Sequence, residues 1–232
     1  MYQLYIANKN YSSWSLRPWL LLSELGIAFD ERLVTFAQGN GASWQAFRAF
    51  SPNGKVPCLH DGDSVVWDSL AIAEYLAERH PDVWPSDSGA RTWARCASAE
   101  MHSGFTALRN HCGMNCGLRI RLPVDLPTAL RTDMARIDEL WSEGLARFGG
   151  PFLAGSRFGA VDAFYAPVAF RIQTYGLPLG AAAAGYAQRL LELPGMRRWY
   201  ESALQEAWRD EAHEQEAQQF GTVWKDLRAP IT

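Results

Sequence analysis

The stretch YSSWSLRPWLLL (Tyr11–Leu22) puts Ser12, Ser13 and Ser15 within four consecutive positions, just ahead of Arg17 and Pro18. Hydroxyls beside a helix start have two uses. They cap the helix, or they face a reactive group, since free N–H groups at a helix N-terminus favour negative charge. Proline is tolerated in the first turn, where its missing N–H has no partner. On that reading the helix begins at or after Trp14 with Ser15 as its cap, which leaves Ser12 and Ser13 in the loop. A second pair, Asp68–Ser69, opens the amphipathic segment SLAIAEYLAERH, where Ser69 reads as an N-cap, an anion binder, or both. Pro57 in GKVP stands at a strand start with no N–H to donate, which marks a strand edge or a bend. No cysteine lies in the serine loop, and Cys58, Cys96, Cys112 and Cys116 have neither zinc nor disulfide-framework spacing. Cys112 and Cys116, one turn apart on an expected helix, read as core filler.

These groups need a scaffold. YQLYI is a short β-rich run, followed by an apolar helix to about Leu25 that Gly26 ends. ERLVTF (Glu31–Phe36) alternates as a second strand, and Gly39–Ser51 reads as loop plus short helix. VPCLH and SVVW, joined by Asp-Gly-Asp, form a hairpin, and the Ser69 helix follows. The order β-α-β-α-β-β-α describes an α/β unit with a small mixed sheet over residues 1–80. Residues 81–89 are Pro- and Ser-rich and read as a linker. From residue 90 to 232 the periodic segments are helical, so the second domain is expected to be all-α, with a polar tail after Gln215 laid over its surface.

With 232 residues, 48% hydrophobic content and a formal charge of -3, the chain can bury a sizeable core and shows no basic footprint for nucleic acid or membrane. The start MYQLYIANKN lacks the pattern of a signal peptide, and no apolar run reaches spanning length. The expectation is a reduced, cytoplasmic protein without a metal.

Three motifs carry a family resemblance. SPNGKVPCL (Ser51–Leu59), DSLAIAEYL (Asp68–Leu76) and FGAVDAFYAPV (Phe158–Val168) resemble, in order and spacing, segments of the cytosolic glutathione transferases. That family joins a thioredoxin-like domain to an all-α domain. YSSWSLR further resembles the Ser-Ser-Cys-Ser-Trp-Arg stretch of its zeta class, which includes maleylacetoacetate isomerases. The resemblance implies glutathione as co-substrate, a cis Val56–Pro57 bond whose Val56 backbone pairs with the peptide, and Lys55 at the glycyl carboxylate. It implies Asp68 and Ser69 at the γ-glutamyl end, and a homodimer; Trp67 and Trp93 are apolar residues near the junction of the domains. A hydroxyl beside the bound thiol would favour the thiolate. Alignment on zeta gives Ser12, counting back from Arg17 gives Ser13, and Tyr11 stands third.

Met101, Phe105 and Arg109, spaced by four on an expected helix, share a face, and with Trp14 they read as the second-substrate wall. A buried arginine needs an anionic partner. His102 reads as a surface or core histidine. The chain departs from zeta in two places: Trp14 stands at the cysteine, and Thr174 at the substrate-binding arginine, with Arg171 one turn earlier. Gly159 replaces the usual capping hydroxyl, and Asp162 at N3 supports the helix dipole instead. The expected activity is glutathione transfer to, or cis–trans isomerisation of, a small electrophile in detoxification. A non-catalytic glutathione-fold binding module is the alternative, and a thiol reductase a weaker one for want of a loop cysteine.

Overall fold

The computed structural model describes residues 1–39 and 41–230; Asn40, Ile231 and Thr232, within the expected loop and tail, lie outside the described residues. The first unit comprises β1 (Tyr2–Ile6), α1 (Ser13–Glu24), β2 (Phe29–Leu33), α2 (Ala42–Phe47), β3 (Cys58–Asp61), β4 (Ser64–Trp67) and α3 (Ser69–Ala77). A 3-10 turn at Pro81–Val83 leads to α4 (Ser88–Ser103), α5 (Thr106–His111), β5 (Leu118–Arg121), α6 (Thr128–Phe148), α7 (Ala160–Tyr175), α8 (Ala181–Glu192), α9 (Pro194–Gln205), α10 (Glu211–Gln218) and β6 (Thr222–Asp226).

The sheet runs β2-β1-β3-β4, with β1 and β2 parallel and the other pairs antiparallel. Alternation fixes its register: Leu4 faces Leu59, and both are buried along with Ile6. Gly62, at φ 58, makes the turn of the expected hairpin. α1, in which Leu16, Leu20 and Leu22 are buried, packs on α7, which is buried almost all round and therefore central. Trp141 completes that core edge-on to Tyr165 and Tyr186, at ring distances of 5.8 and 4.9 Å.

Two features go beyond the sequence pattern. The helical domain carries a two-stranded antiparallel ribbon, β5–β6, so the tail is paired backbone rather than a surface drape. The helix expected over residues 91–112 is broken at Gly104–Phe105, where Phe105 takes φ 56. Cys112 and Cys116 accordingly lie past the end of α5, not on a helix, though both are buried.

Gly159 caps α7, and its N–H donates to Asp162 Oδ2 at 3.0 Å. Asp162 Oδ1 also accepts from Leu153 N–H (3.0 Å) and Tyr186 O–H (2.7 Å). Burial pushes the Asp162 carboxyl up to about 6 even against these donors.

Candidate functional site

The β1–α1 loop is held from both sides. Asn8 Oδ1 accepts from Phe36 N–H at 2.9 Å. From the helical domain, Glu206 accepts from the N–H groups of Lys9 (2.7 Å) and Asn10 (3.2 Å), and Trp199 Nε1 donates to Lys9 O (2.8 Å). Asn10 accepts at its carbonyl from Cys116 N–H (3.2 Å) and at Oδ1 from Gly117 N–H (3.1 Å). The Lys9 ammonium pairs with Glu31 at 2.8 Å and lies over the rings of Trp19 and Trp199. The backbone polar groups that precede the serines are thus largely satisfied by partners distant in sequence.

That scaffold corrects the expected helix start. The helix begins at Ser13 with Ser12 as N-cap, not after Trp14 with Ser15 as cap. Pro18 sits inside α1, and the burial of Leu16 and Trp19–Leu22 outweighs the one backbone bond it removes. Ser12 Oγ donates to Ser15 Oγ at 2.7 Å and accepts from Ser15 N–H at 3.4 Å, while Ser15 Oγ also accepts from Ala7 N–H at 3.2 Å. Ser13, the first helical residue, keeps its hydroxyl toward a cleft, where it accepts from Arg171 Nη2 at 3.4 Å. Tyr11 also faces the cleft, but its O–H donates to Glu214 at 2.7 Å, and burial, then that bond, push its pKa up.

The cleft encloses about 490 Å³, room for a small peptide with a second molecule. Lys55 and Val56 line one wall; Val56–Pro57 is cis, and among the described residues the Val56 N–H and C=O have no hydrogen-bond partner. Toward α3 the cap is Asp68, not Ser69: Asp68 stands at φ 76 with Oδ1 accepting from Leu70 N–H at 2.8 Å, and Ser69 is the first helical residue. Asp68 is a non-glycine residue in the left-handed region, a conformation that clusters at ligand clamps.

The wall from the helical domain differs from expectation. Because the helix breaks at Gly104, Met101 and Phe105 are buried in the core and do not line the cleft, whereas Arg109 does. Arg109 Nη2 donates to the carbonyls of Met101 and His102, bracing the end of α4, and its guanidinium lies 5.1 Å from the Trp14 ring. Trp14 itself is in the cleft. Arg171 is also there, 4% exposed, with Nε donating to Cys112 O at 2.8 Å. Thr174 is committed to Asn115 O at 2.6 Å. On the far rim α10 contributes His213 and Glu216; α10 is fixed by Arg228, which pairs with Glu214 and with Asp226.

Residues 11–79 match the glutathione S-transferase N-terminal domain, and residues 97–202 match the C-terminal domain. Over 200 residues the chain is 32% identical to bovine glutathione S-transferase theta-1, covering 81% of this chain and 78% of that one. The chain belongs to the glutathione S-transferase family. Glutathione S-transferase GstB of Escherichia coli K12 is 28% identical over 212 residues, covering 83% of this chain and 89% of its own. The theta-class glutathione S-transferase of Xanthomonas axonopodis pv. citri, solved with glutathione bound, shares the fold at a TM-score of 0.61 and 24% identity, covering 86% and 96%. A glutathione transferase homologue from Burkholderia, also solved with glutathione, does so at 0.64 and 21%, covering 87% and 97%. Glutathione S-transferase theta-1 of Homo sapiens and theta-3 of Mus musculus are similar as well, at 29% and 30% identity.

Within this transferase fold, sequence reasoning passed over two residues. Arg17, used only as an alignment marker, is 2% exposed, lies 4.1 Å from the Trp14 ring and donates to Ser69 Oγ at 3.3 Å. Burial first, then the nearby Arg109 and Arg171, lower its pKa well below the ordinary value. His102, read as surface or core, has Nε2 3.5 Å from Asp68 Oδ2 and its ring edge-on to Trp14. An arginine one turn into a buried helix was the available signal for the first; the second needs the domain contact itself. Among the described residues no cluster of three or more His, Cys, Asp or Glu could hold a metal, and no helix is long and apolar enough to cross a membrane.

Proposed function

We propose that the protein binds glutathione along this cleft and activates its thiol with Ser13. Lys55 takes the glycyl carboxylate, the Val56 backbone pairs with the peptide as an added strand does, and Ser69 with Arg17 takes the γ-glutamyl carboxylate while Asp68 faces the amino group. One observation carries the choice of serine: Ser12 spends its proton on Ser15, whereas Ser13 presents a free O–H at the start of α1. A thiolate there gains a hydrogen bond and the helix field, and both favour its charged form. The sulfur bonds to the electrophilic carbon. In substitution the leaving group departs with its electron pair. In isomerisation the sulfur adds across a double bond, the adduct rotates, and the thiolate is expelled. Arg171 beside Ser13 supports the isomerase branch, although Thr174 stands at the zeta arginine.

A purely binding protein has no need of a free hydroxyl at this point. A thiol reductase is disfavoured, since no cysteine lines the cleft among the described residues and burial pushes Cys112 up to about 12. We read the protein as a cytoplasmic detoxifying homodimer, with the exposed Val65 and Trp67 of β4 at the interface. Trp93, by contrast, is engaged within the chain with Glu143 and Phe148.

The thiolate absorbance of bound glutathione against pH tests the assignment. Ser13→Ala is expected to raise the midpoint by about one to two units, and Ser12→Ala and Ser15→Ala to leave it in place. An unmoved midpoint in Ser13→Ala removes the assignment.

A further inference from the structure

Two guanidiniums, Arg109 and Arg171, line the cleft beside Trp14 and Ser13, and a third, the buried Arg17, lies 4.1 Å from the Trp14 ring. Among the described residues none of them has a carboxylate oxygen within 4.0 Å. A buried arginine ordinarily has such a partner. Arg171 uses Nε and Nη2 on Cys112 O and Ser13 Oγ, and its Nη1 has no acceptor among the described residues. Arg109 spends only Nη2, on the end of α4, leaving Nε and Nη1 without one. Arg17 Nη1 is directed to Ser69, while its Nε is buried and unpaired.

The acidic groups that bear on these cations stand off to the side. Asp68 acts on Arg17, Asp133 on Arg109 and Glu216 on Arg171. Asp68 and Asp133 each commit an oxygen to a backbone N–H, of Leu70 and Leu108, and Glu216 is exposed on the rim. Burial lowers all three guanidiniums, Arg171 to about 10, so Arg171 stays charged at neutral pH. A cleft that holds uncompensated positive charge beside its reacting group stabilises a ligand that brings negative charge there. The two carboxylates of glutathione have their own takers, Lys55 at one end and Ser69 with Arg17 at the other.

We propose that Arg109 and Arg171 hold a carboxylate carried by the electrophile, so that the second substrate is an anionic, carboxylate-bearing electrophile. The inference rests on the glutathione reading above. Arg171 Nη1 with Arg109 Nη1 and Nε are the donors. Ser13, bonded to Arg171, places the sulfur next to that carboxylate.

Two product-like conjugates separate this subsite from the rest of the cleft. S-(2-carboxyethyl)glutathione and S-(2-carbamoylethyl)glutathione match in size and differ by one charge. By calorimetry the wild type is expected to bind the carboxylate form roughly tenfold or more tighter than the amide, the range for charge-assisted hydrogen bonds. Arg109→Gln and Arg171→Gln should bring that ratio near one while the affinity for glutathione itself stays within about twofold. Arg171→Lys should retain part of the preference. Should Arg171→Gln fail to fold, Arg109→Gln decides the test. A wild-type ratio near one overturns the subsite and leaves the glutathione reading intact. So do variants that weaken glutathione as much as the carboxylate conjugate, because the arginines would then serve the peptide. If glutathione and both conjugates fail to bind, the glutathione reading falls and the subsite with it.

Discussion

The two walls of the cleft are built by different means. On the sheet side the groups we assign to glutathione are backbone or short side chains: the Val56 peptide groups and Ser13 at a helix start, which line the cleft, and Ser69 behind the Asp68 cap, which is buried outside that lining. Each is set by an element end or an adjacent cap. On the helical side the groups we assign to the second substrate are the tips of long side chains, Arg109 and Arg171, on α5 and α7. Backbone geometry suits a ligand that does not vary, because a short group cannot follow a change of shape. Long side chains suit the partner that does vary, since one substitution alters charge and reach without disturbing a strand. The division teaches where specificity can change at low cost to the fold.

The sharpest way to break this contrast is at the root of the helical wall. Asp162 fixes the start of α7, which carries Arg171, and Asp162→Asn removes part of a buried acceptor set. Its carboxyl titrates near 6 when folded, against about 3.9 in an unfolded chain. The folded state therefore takes the proton first, and this group adds stability as pH falls from above 6 toward 4, by up to roughly 3 kcal/mol. Urea unfolding at pH 7 and pH 4.5 should show the wild type gaining on Asp162→Asn at the lower pH. An unchanged gap between the two would mean that the carboxyl is not perturbed.

A smaller effect is expected at the sheet wall. Glu206→Ala strands the N–H groups of Lys9 and Asn10 and should cost about 2 kcal/mol, with Glu206→Gln milder. Burial holds the Glu206 carboxyl above its usual range against the pull of those two donors. If the loop is aimed from the helical domain, Glu206→Ala also depresses conjugation of any electrophile, charged or neutral, which the Arg109 variant should not do. Equal activity in folded Glu206→Ala and wild type would dissolve the contrast.

The smallest effect belongs to the cap. Ser12→Ala should lose about 1 kcal/mol by thermal unfolding while Ser13→Ala loses less. The reverse order would return Ser12 to the loop.

Much of the sheet wall was legible in the sequence because its signals are local. Asp-Gly in the hairpin and Pro57 after Val56 each act over a few residues, as does Gly159 with Asp162 at the start of α7 on the helical side. The misread start of α1 came from a local rule about Pro18 that the burial of Leu16 and Trp19–Leu22 overrides. Gly104 was hidden inside an apolar-periodic segment, so Met101 and Phe105 were assigned to a wall they do not reach. TVWKD is too short to announce itself as a strand without its partner Leu118–Arg121. The cluster of Arg17, Trp14 and Phe164 joins residues far apart in the chain, and no window on the sequence contains it.

The anchoring of the β1–α1 loop bears on how such chains can be recombined. Lys9 and Asn10 lie in the first unit, yet their backbone partners Glu206, Trp199 and Cys116 all come from the second. A chimera that grafts the first unit onto another relative's helical domain would inherit Ser13 without the groups that hold its loop. Exchange of whole domains between such proteins is therefore constrained at residues 116, 199 and 206 rather than at the linker, and a successful shuffle would have to carry those three positions with the serine.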